Sequence, residues 1–209
     1  MAERRRQRER LYELLERTTQ YYERYLWESQ EAGPARDYLA ERGLGEEVLR
    51  TYRVGYAPSA WDKVLLVTRR AGFSQDELIA AGLVIRSERS KGRVYDRFRR
   101  RIIFPLADMR GRVVGFGARA MATDEHGGAK YINSPESDIF HKGRILYGAH
   151  LARHAAAKAA SVIVTEGYTD VIALHQAGLA NAICIMGTSL TEDQVKELVR
   201  LAPRSVLAL

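Results

Sequence analysis

Two carboxylates stand four residues apart near the end of the chain. Glu166 follows the β-branched run Val162 to Thr165, and Asp170 lies in the first turn of the helical pattern that comes next. Open parallel sheets bind ligands at the carboxyl ends of their strands, so Glu166 is predicted to face a binding crevice. Carboxylate oxygens suit a hard cation such as Mg²⁺. Asp170 either shares that site or caps the helix, where its charge favours the helix dipole.

Arginines and lysines crowd the middle of the chain. They are Arg86, Arg89, Lys91, Arg93, Arg97, Arg99, Arg100, Arg101, Arg110, Arg112 and Arg119. Planar guanidinium groups match phosphate oxygens, which predicts a phosphate-binding surface. We expect Arg97 and Arg99 to lie in a strand, where alternate residues share a face. A solvated basic face without a ligand is the alternative.

Three further residues could contact a nucleic acid. Trp61 offers either a stacking surface for a base or a half-buried packing residue. Lys130 and Lys142 bracket the long polar segment 131–141, and ordered loops of this length are disproportionately functional. Lysines that only face solvent are the alternative for this pair.

Composition narrows the class of protein. The chain has 209 residues, of which 46% are hydrophobic, enough for a substantial core. The formal net charge of +7 favours a polyanionic partner. The single cysteine, Cys184, excludes a disulfide framework and a cysteine zinc site, and its apolar surroundings predict a buried thiol. No apolar run approaches a membrane span and no signal peptide is evident, so we expect a cytoplasmic protein without a membrane partner.

The pattern along the chain changes from helical to strand-like and then alternates. Helices are predicted over 3–31, 35–41, 46–52 and 62–70, and a further helix after a Ser74/Glu77 capping box. Strands are predicted over 101–106, 113–118 and 130–133, and they are followed by a helix over 150–160. Strands at 162–165, 181–186 and 205–209 then alternate with helices, the second with a Thr191/Gln194 capping box. We therefore predict an α+β basic subdomain over 1–150 and an α/β subdomain with a Rossmann-like parallel sheet over 151–209.

Several long motifs occur in an order that resembles one family. They are Tyr95 to Pro105, Gly111 to Arg119, Lys130 to Glu136, Phe140 to Gly148, and Glu166-Gly-Tyr-Thr-Asp170. Together they resemble the catalytic core of bacterial replicative DNA primases of the DnaG type, whereas the last motif alone indicates only a Toprim fold. The resemblance implies a basic subdomain followed by a Toprim subdomain, and the synthesis of short RNA primers on single-stranded DNA.

The resemblance also implies roles for individual residues. Glu166 matches the metal-ligating catalytic acid, and Asp170 its catalytic companion. The expected nucleotide-binding residues are Arg42, Arg119, Lys130 and Lys142. The expected contacts to the template strand are Trp61, Arg97, Arg99 and Asn133.

The implied partners are a single-stranded DNA template, ribonucleoside triphosphates, Mg²⁺ or Mn²⁺, and a replicative helicase bound through regions absent here. The family's zinc-binding domain has no counterpart, and its Asp-x-Asp metal pair is expected beyond Leu209. Because nucleotidyl transfer needs a well-held metal, we expect this chain alone to be inactive, with its Toprim part truncated at the third strand. The alternatives are a non-enzymatic Toprim-type nucleic-acid-binding module, and a Toprim nuclease, which the dense basic motifs disfavour.

Overall fold

The computed structural model describes residues 1–87, 92–121, 129–186 and 190–208. Its contacts divide the chain into two compact units. The first unit comprises residues 1–38, 53–105 and 113–140, and the second comprises 39–52, 106–112 and 141–209. The units interleave along the chain, and the predicted subdomain boundary near residue 150 stays a prediction.

The helices and strands follow one another in short steps. The helices are α1 (Ala2–Glu28), α2 (Gly33–Glu41), α3 (Glu46–Thr51), α4 (Lys63–Arg70), α5 (Gln75–Ala80), α6 (Ala149–Ala159), α7 (Tyr168–Gln176) and α8 (Glu192–Leu201). The strands are β1 (Gly55–Ala57), β2 (Val84–Arg86), β3 (Val94–Asp96), β4 (Arg101–Ala107), β5 (Val113–Ala120), β6 (Tyr131–Asn133), β7 (Leu146–Tyr147), β8 (Val162–Thr165), β9 (Ala182–Ile185) and β10 (Ser205–Leu207). Single 3₁₀ turns occupy Gln30–Ala32 and Lys142–Arg144.

In the first unit, α1 covers a sheet with the strand order β1-β4-β5-β6. Leucines at three- and four-residue spacing, such as Leu11, Leu14 and Leu15, are buried along one side of this helix. The helix approaches β1 so closely that a Cβ on Gly55 would lie 2.6 Å from the Cβ of Tyr22. Tyr22 in turn meets the edge of Phe116 on β5, with ring centroids 5.6 Å apart. A glycine in β1 is therefore what allows α1 to lie against the sheet.

In the second unit, the strand order is β10-β8-β9-β7. β8 runs parallel to both β10 and β9, which confirms the predicted parallel Toprim-type sheet with intervening helices. β7 adds an antiparallel edge next to β9 and was not predicted, because two residues are too few to show a period-two pattern. The carboxyl ends of β8 and β9 lie at the same edge of this sheet.

Most predicted elements are confirmed, with differences at their ends. The first helix, expected over 3–31, ends at Glu28 because Ser29 is extended, with φ −84° and ψ 135°. Both predicted capping boxes form, at Ser74 with Glu77 and at Thr191 with Gln194. The β2–β3 pair was missed. Within the described parts of the chain, no helix is long and apolar enough to cross a membrane.

Candidate functional site

An exposed aromatic and cationic cluster lies in the first unit. Trp61 keeps 59% of its surface exposed, so it is not a half-buried packing residue. The guanidinium carbon of Arg99 lies 4.1 Å from the centroid of the Trp61 ring and 5.0 Å from that of Tyr95. Tyr95 meets Trp61 edge-on, at 5.3 Å and 72°. The cluster combines a cation with a ring surface, as nucleic-acid stacking sites do.

Asp96 lies buried beside this cluster, with 1% of its surface exposed. Its carboxylate accepts hydrogen bonds from the backbone N–H groups of Val64 (2.7 Å) and Leu65 (2.9 Å) at the start of α4. Its own backbone N–H donates to the carbonyl of Trp61 at 2.7 Å. Burial raises the pKa of Asp96 to about 6, against the effect of the two N–H donors. Sequence reasoning missed this residue, because its partners lie more than 30 positions earlier.

Arg97 and Arg99 do not lie in a strand, so that part of the prediction is wrong. β3 ends at Asp96, and the backbone N–H of Arg97 donates to the carbonyl of Leu83. The ladder ends here because its partner strand ends: the residues before Leu83 form the turn after α5, where Gly82 has φ 68°. Arg97 is half-buried, and burial lowers its pKa. Arg89 and Lys91 lie outside the described residues.

The residues predicted on β5 and β6 differ in exposure. Arg119 is buried, with 7% of its surface exposed, and its guanidinium carbon lies 3.9 Å from the ring centroid of Tyr38. Lys130 is exposed, with its Nζ 5.9 Å from the ring centroid of Tyr131. Asn133 is half-buried on β6. Since Arg119 pairs with Tyr131 and Gly117 with Asn133, the side chains at 119, 131 and 133 share one face of the sheet. Residues 124–128, whose two glycines indicate a loop in the sequence, lie outside the described residues.

The predicted acidic pair occupies the end of β8 and the start of α7 in the second unit. Glu166 is exposed, and its carbonyl accepts the thiol hydrogen bond of Cys184 at 3.0 Å. Asp170 is also exposed, and its carboxylate folds back towards Gly167, where a Cβ would lie 3.1 Å from the Asp170 Cγ. Burial raises the pKa of Cys184 to about 12, so the thiol stays protonated, and the predicted buried structural thiol is confirmed.

The donor set at this edge suits a hard cation but is small. Glu166 and Asp170 supply carboxylate oxygens, the ligands that Mg²⁺ and Mn²⁺ prefer. Among residues 1–87, 92–121, 129–186 and 190–208, no three acidic, histidine or cysteine side chains gather as a metal-binding group. The two carboxylates therefore fit a metal that takes most of its ligands from water and phosphate.

Arg42 and Lys142 are both exposed on turns of the second unit. The side-chain amide of Gln176 holds the turn after Arg42, donating to the Gly43 carbonyl at 2.6 Å and accepting from the Gly45 N–H at 2.7 Å. This clamp joins residues more than 130 positions apart, so sequence reasoning missed it.

A second set of contacts fixes the turn that begins with Lys142. The carbonyl of Gly143, the second residue of this turn, accepts a hydrogen bond from the Thr191 hydroxyl at 2.5 Å. Arg144, the third residue, forms an ion pair with Asp193 at 2.8 Å. The turn is thereby attached to the start of α8.

Two domain families match the chain. The model for the DNA primase catalytic core, N-terminal domain, matches residues 21–153, and the Toprim domain model matches residues 160–209. The DNA primase of Salmonella typhimurium is 43% identical over 199 residues, which cover 94% of this chain and 33% of that protein. The DNA primase of Deinococcus radiodurans is 41% identical over 197 residues, with the same coverage. The chain thus spans about a third of the length of these relatives.

Solved structures agree in fold. The RNA polymerase domain of Mycobacterium tuberculosis primase DnaG superposes with a TM-score of 0.87 and 39% identity, over 93% of this chain and 62% of that one. A DnaG primase catalytic domain bound to ssDNA superposes with a TM-score of 0.84 and 41% identity, over 97% of this chain and 61% of that one. The chain therefore belongs to the DNA primase catalytic core family and carries a Toprim domain in its second part.

Proposed function

We propose that this chain supplies template- and nucleotide-binding surfaces of a primase that makes short RNA primers on single-stranded DNA. The observation that carries the proposal is the exposed Trp61 ring with the Arg99 guanidinium stacked on it, in a chain of the primase family. A base can stack on an aromatic face or on a guanidinium plane, and the cation adds attraction for phosphate. Arg97 and Asn133 are the further template contacts that we propose.

Binding of single-stranded DNA to the 209-residue chain tests this surface. Stacking of one base on an aromatic residue contributes about 1–3 kcal/mol, so Trp61→Ala should weaken binding about 5- to 150-fold. Leu66→Ala is the matched control, because Leu66 is also an exposed apolar residue, at 44%, and lies on the neighbouring helix α4. Fluorescence anisotropy of a labelled oligonucleotide measures both. Equal affinity of Trp61→Ala and wild type would refute the template contact.

We assign nucleotide binding to Arg42, Lys130 and Lys142. Arg119 is kept as a fourth nucleotide-binding residue, whose buried positive charge would attract phosphate. Exposed lysine and arginine side chains suit the phosphates of ribonucleoside triphosphates, the proposed substrates. The family resemblance also implies a replicative helicase as partner and a cytoplasmic location, and both remain proposals.

We assign Mg²⁺ or Mn²⁺ to Glu166, with Asp170 as its companion. A bound divalent ion would neutralise charge that develops on the triphosphate during nucleotidyl transfer. Glu166 offers an exposed carboxylate at the end of a strand. The thiol of Cys184 holds the backbone there by a hydrogen bond to the Glu166 carbonyl. Gly167 leaves room for the Asp170 carboxylate to turn towards the same segment.

Mn²⁺ binding, followed by the loss of the free-ion electron paramagnetic resonance signal, tests this assignment without an activity assay. Loss of a residue that merely supports a metal ligand costs about 10- to 100-fold, so Glu166→Gln should cost at least as much. Glu41→Gln, which neutralises another exposed glutamate of the second unit, should have no effect. Unchanged Mn²⁺ affinity in Glu166→Gln would show that Glu166 is not the ligand.

A further inference from the structure

The start of α4 is capped by a residue that is distant in the sequence. Asp62 occupies the N-cap position, but its side chain makes no capping hydrogen bond. The carboxylate of Asp96 takes over that role, with both of its oxygens accepting from the N–H groups of Val64 and Leu65. Since α4 begins two residues after Trp61, this cap fixes one end of the segment that carries the indole.

The other end of that segment is held by a second carboxylate. One oxygen of Glu31 accepts from the backbone N–H of Ser59 at 2.6 Å, and the other accepts from the Tyr25 hydroxyl at 2.7 Å. The backbone N–H of Arg100 also donates to the Pro58 carbonyl at 3.3 Å. The Trp61 segment, residues 58–62, is therefore attached on both sides of the indole.

The Arg99 guanidinium, which stacks on the Trp61 ring, also forms a hydrogen bond with Asp96. Asp96 donates its backbone N–H to the Trp61 carbonyl, and its own carbonyl accepts from the Arg99 guanidinium. Asp96 thus contacts the backbone of Trp61 itself, the start of the helix that follows it and the Arg99 guanidinium that stacks on its ring.

We propose that Asp96, together with Glu31, is a positioning residue that holds the Trp61–Arg99 pair as a preformed stacking platform for a nucleobase. The platform's use in template binding rests on the proposed function; the positioning itself does not. A fixed ring needs little ordering when a base arrives, so more of the stacking energy contributes to affinity. Neither carboxylate needs to touch the nucleic acid for this role.

Trp61 reports on its own position. The chain has two tryptophans, so Trp27→Phe leaves Trp61 as the single fluorophore. In that background, Asp96→Asn keeps the shape of the side chain but replaces one acceptor oxygen with a donor, and should increase the quenching of Trp61 by acrylamide and shift its emission to the red. Glu31→Gln, at the partly solvated end of the segment, should change both in the same direction by less. Affinity for a single-stranded oligonucleotide should fall about 3- to 10-fold in Asp96→Asn, a part of the stacking energy.

Ser74→Ala is the matched control. It removes the cap of α5 in the same unit without touching the Trp61 segment, so it should lower stability but leave quenching, emission and DNA affinity unchanged. If Asp96→Asn folds and Trp61 quenching is unchanged, the positioning role is overturned; if it does not fold, unchanged quenching in Glu31→Gln overturns it. A separate result, normal DNA binding by Trp61→Ala, would refute the template contact while leaving the fluorescence test of positioning valid.

Discussion

Lys130 and Arg119 illustrate how two predicted phosphate contacts can differ at the level of the residue. Lys130 is exposed, whereas Arg119 is buried against Tyr38 and donates to the Ala120 carbonyl at 3.0 Å. An exposed lysine attracts the phosphates of DNA as well as those of a nucleotide, so Lys130→Ala should weaken single-stranded DNA binding at low salt and reduce the salt slope by about one. Lys158→Ala, an exposed lysine on α6, is the control and should change neither. Oligonucleotide titrations at two salt concentrations measure the slopes.

Arg119→Ala should behave differently from Lys130→Ala. It removes a buried side chain that stacks on Tyr38, so the free energy of unfolding should fall by about 1–3 kcal/mol. Denaturant unfolding of the two variants measures this difference. Wild-type stability in Arg119→Ala would contradict the packing role.

The raised pKa of Asp96 predicts a specific pH dependence of the free energy of unfolding. Its pKa is raised from 3.8 to about 6 in the folded protein, mainly by burial, while Asp62 raises and Arg99 lowers it. A raised folded pKa means that the proton binds more tightly in the native state. The stabilising contribution is therefore full below about pH 3.8 and is lost as pH rises through about 6.

The comparison with Asp96→Asn isolates this effect. The stability of wild type relative to the variant should fall by roughly 2 kcal/mol between pH 4 and pH 7, because the amide does not titrate. Denaturant unfolding across that range measures the difference. A difference that does not vary with pH would show that Asp96 is not perturbed.

Single residues were predictable where their chemistry is local. Trp61 and Glu166 could be proposed as site residues because an aromatic residue in a loop and an acid after a strand are visible within a few neighbouring residues, and their roles stay predictions. Asp96, Glu31 and Gln176 were missed, since each acts on backbone that lies 28 or more positions away. Their hydrogen bonds exist only once the chain has folded.

At the level of the element, the contact between α1 and β1 is the one most sensitive to the addition of a single carbon atom. A Cβ on Gly55 would lie 2.7 Å from the backbone carbon of Tyr22, so Gly55→Ala must separate the helix from the strand. Stability should fall by about 1–3 kcal/mol. Gly33→Ala, at the start of α2 with a nearest neighbour 3.8 Å away, should be neutral or stabilise by about 0.5 kcal/mol. Thermal unfolding of both variants tests the pair, and equal melting temperatures would contradict the close contact.

Elements were predictable to the extent that their signals are contiguous. The capping boxes at Ser74 and Thr191 and the alternation around β8 and β9 were correct. The strand expected through Arg97 and Arg99 was wrong, because the partner strand β2 begins only at Val84, after the turn at Gly82, and leaves these residues no strand to pair with. Tertiary contacts thus override the local pattern at the candidate template surface.

At the level of the whole molecule, the Trp61–Arg99 pair and the proposed metal ligands lie in different units. The first unit holds Trp61 and Arg99, and the second holds Glu166 and Asp170. The proposed nucleotide-binding residues are divided between the two units: Arg119 and Lys130 in the first, Arg42 and Lys142 in the second. The net charge of +7 supports attraction of a polyanion by the chain as a whole. Binding of nucleic acid and binding of metal should therefore be separable by mutation.

Primer synthesis by the full protein that the gene encodes tests the central claim most directly. Incorporation of labelled ribonucleotides on a single-stranded DNA template, with Mg²⁺ or Mn²⁺, should be robust in wild type. Glu166→Gln should abolish incorporation while single-stranded DNA affinity stays at the wild-type value, because the Trp61–Arg99 surface is unchanged. Absence of synthesis in wild type, with DNA binding intact, would favour a non-enzymatic binding module, and synthesis by Glu166→Gln would contradict the assignment of the catalytic acid.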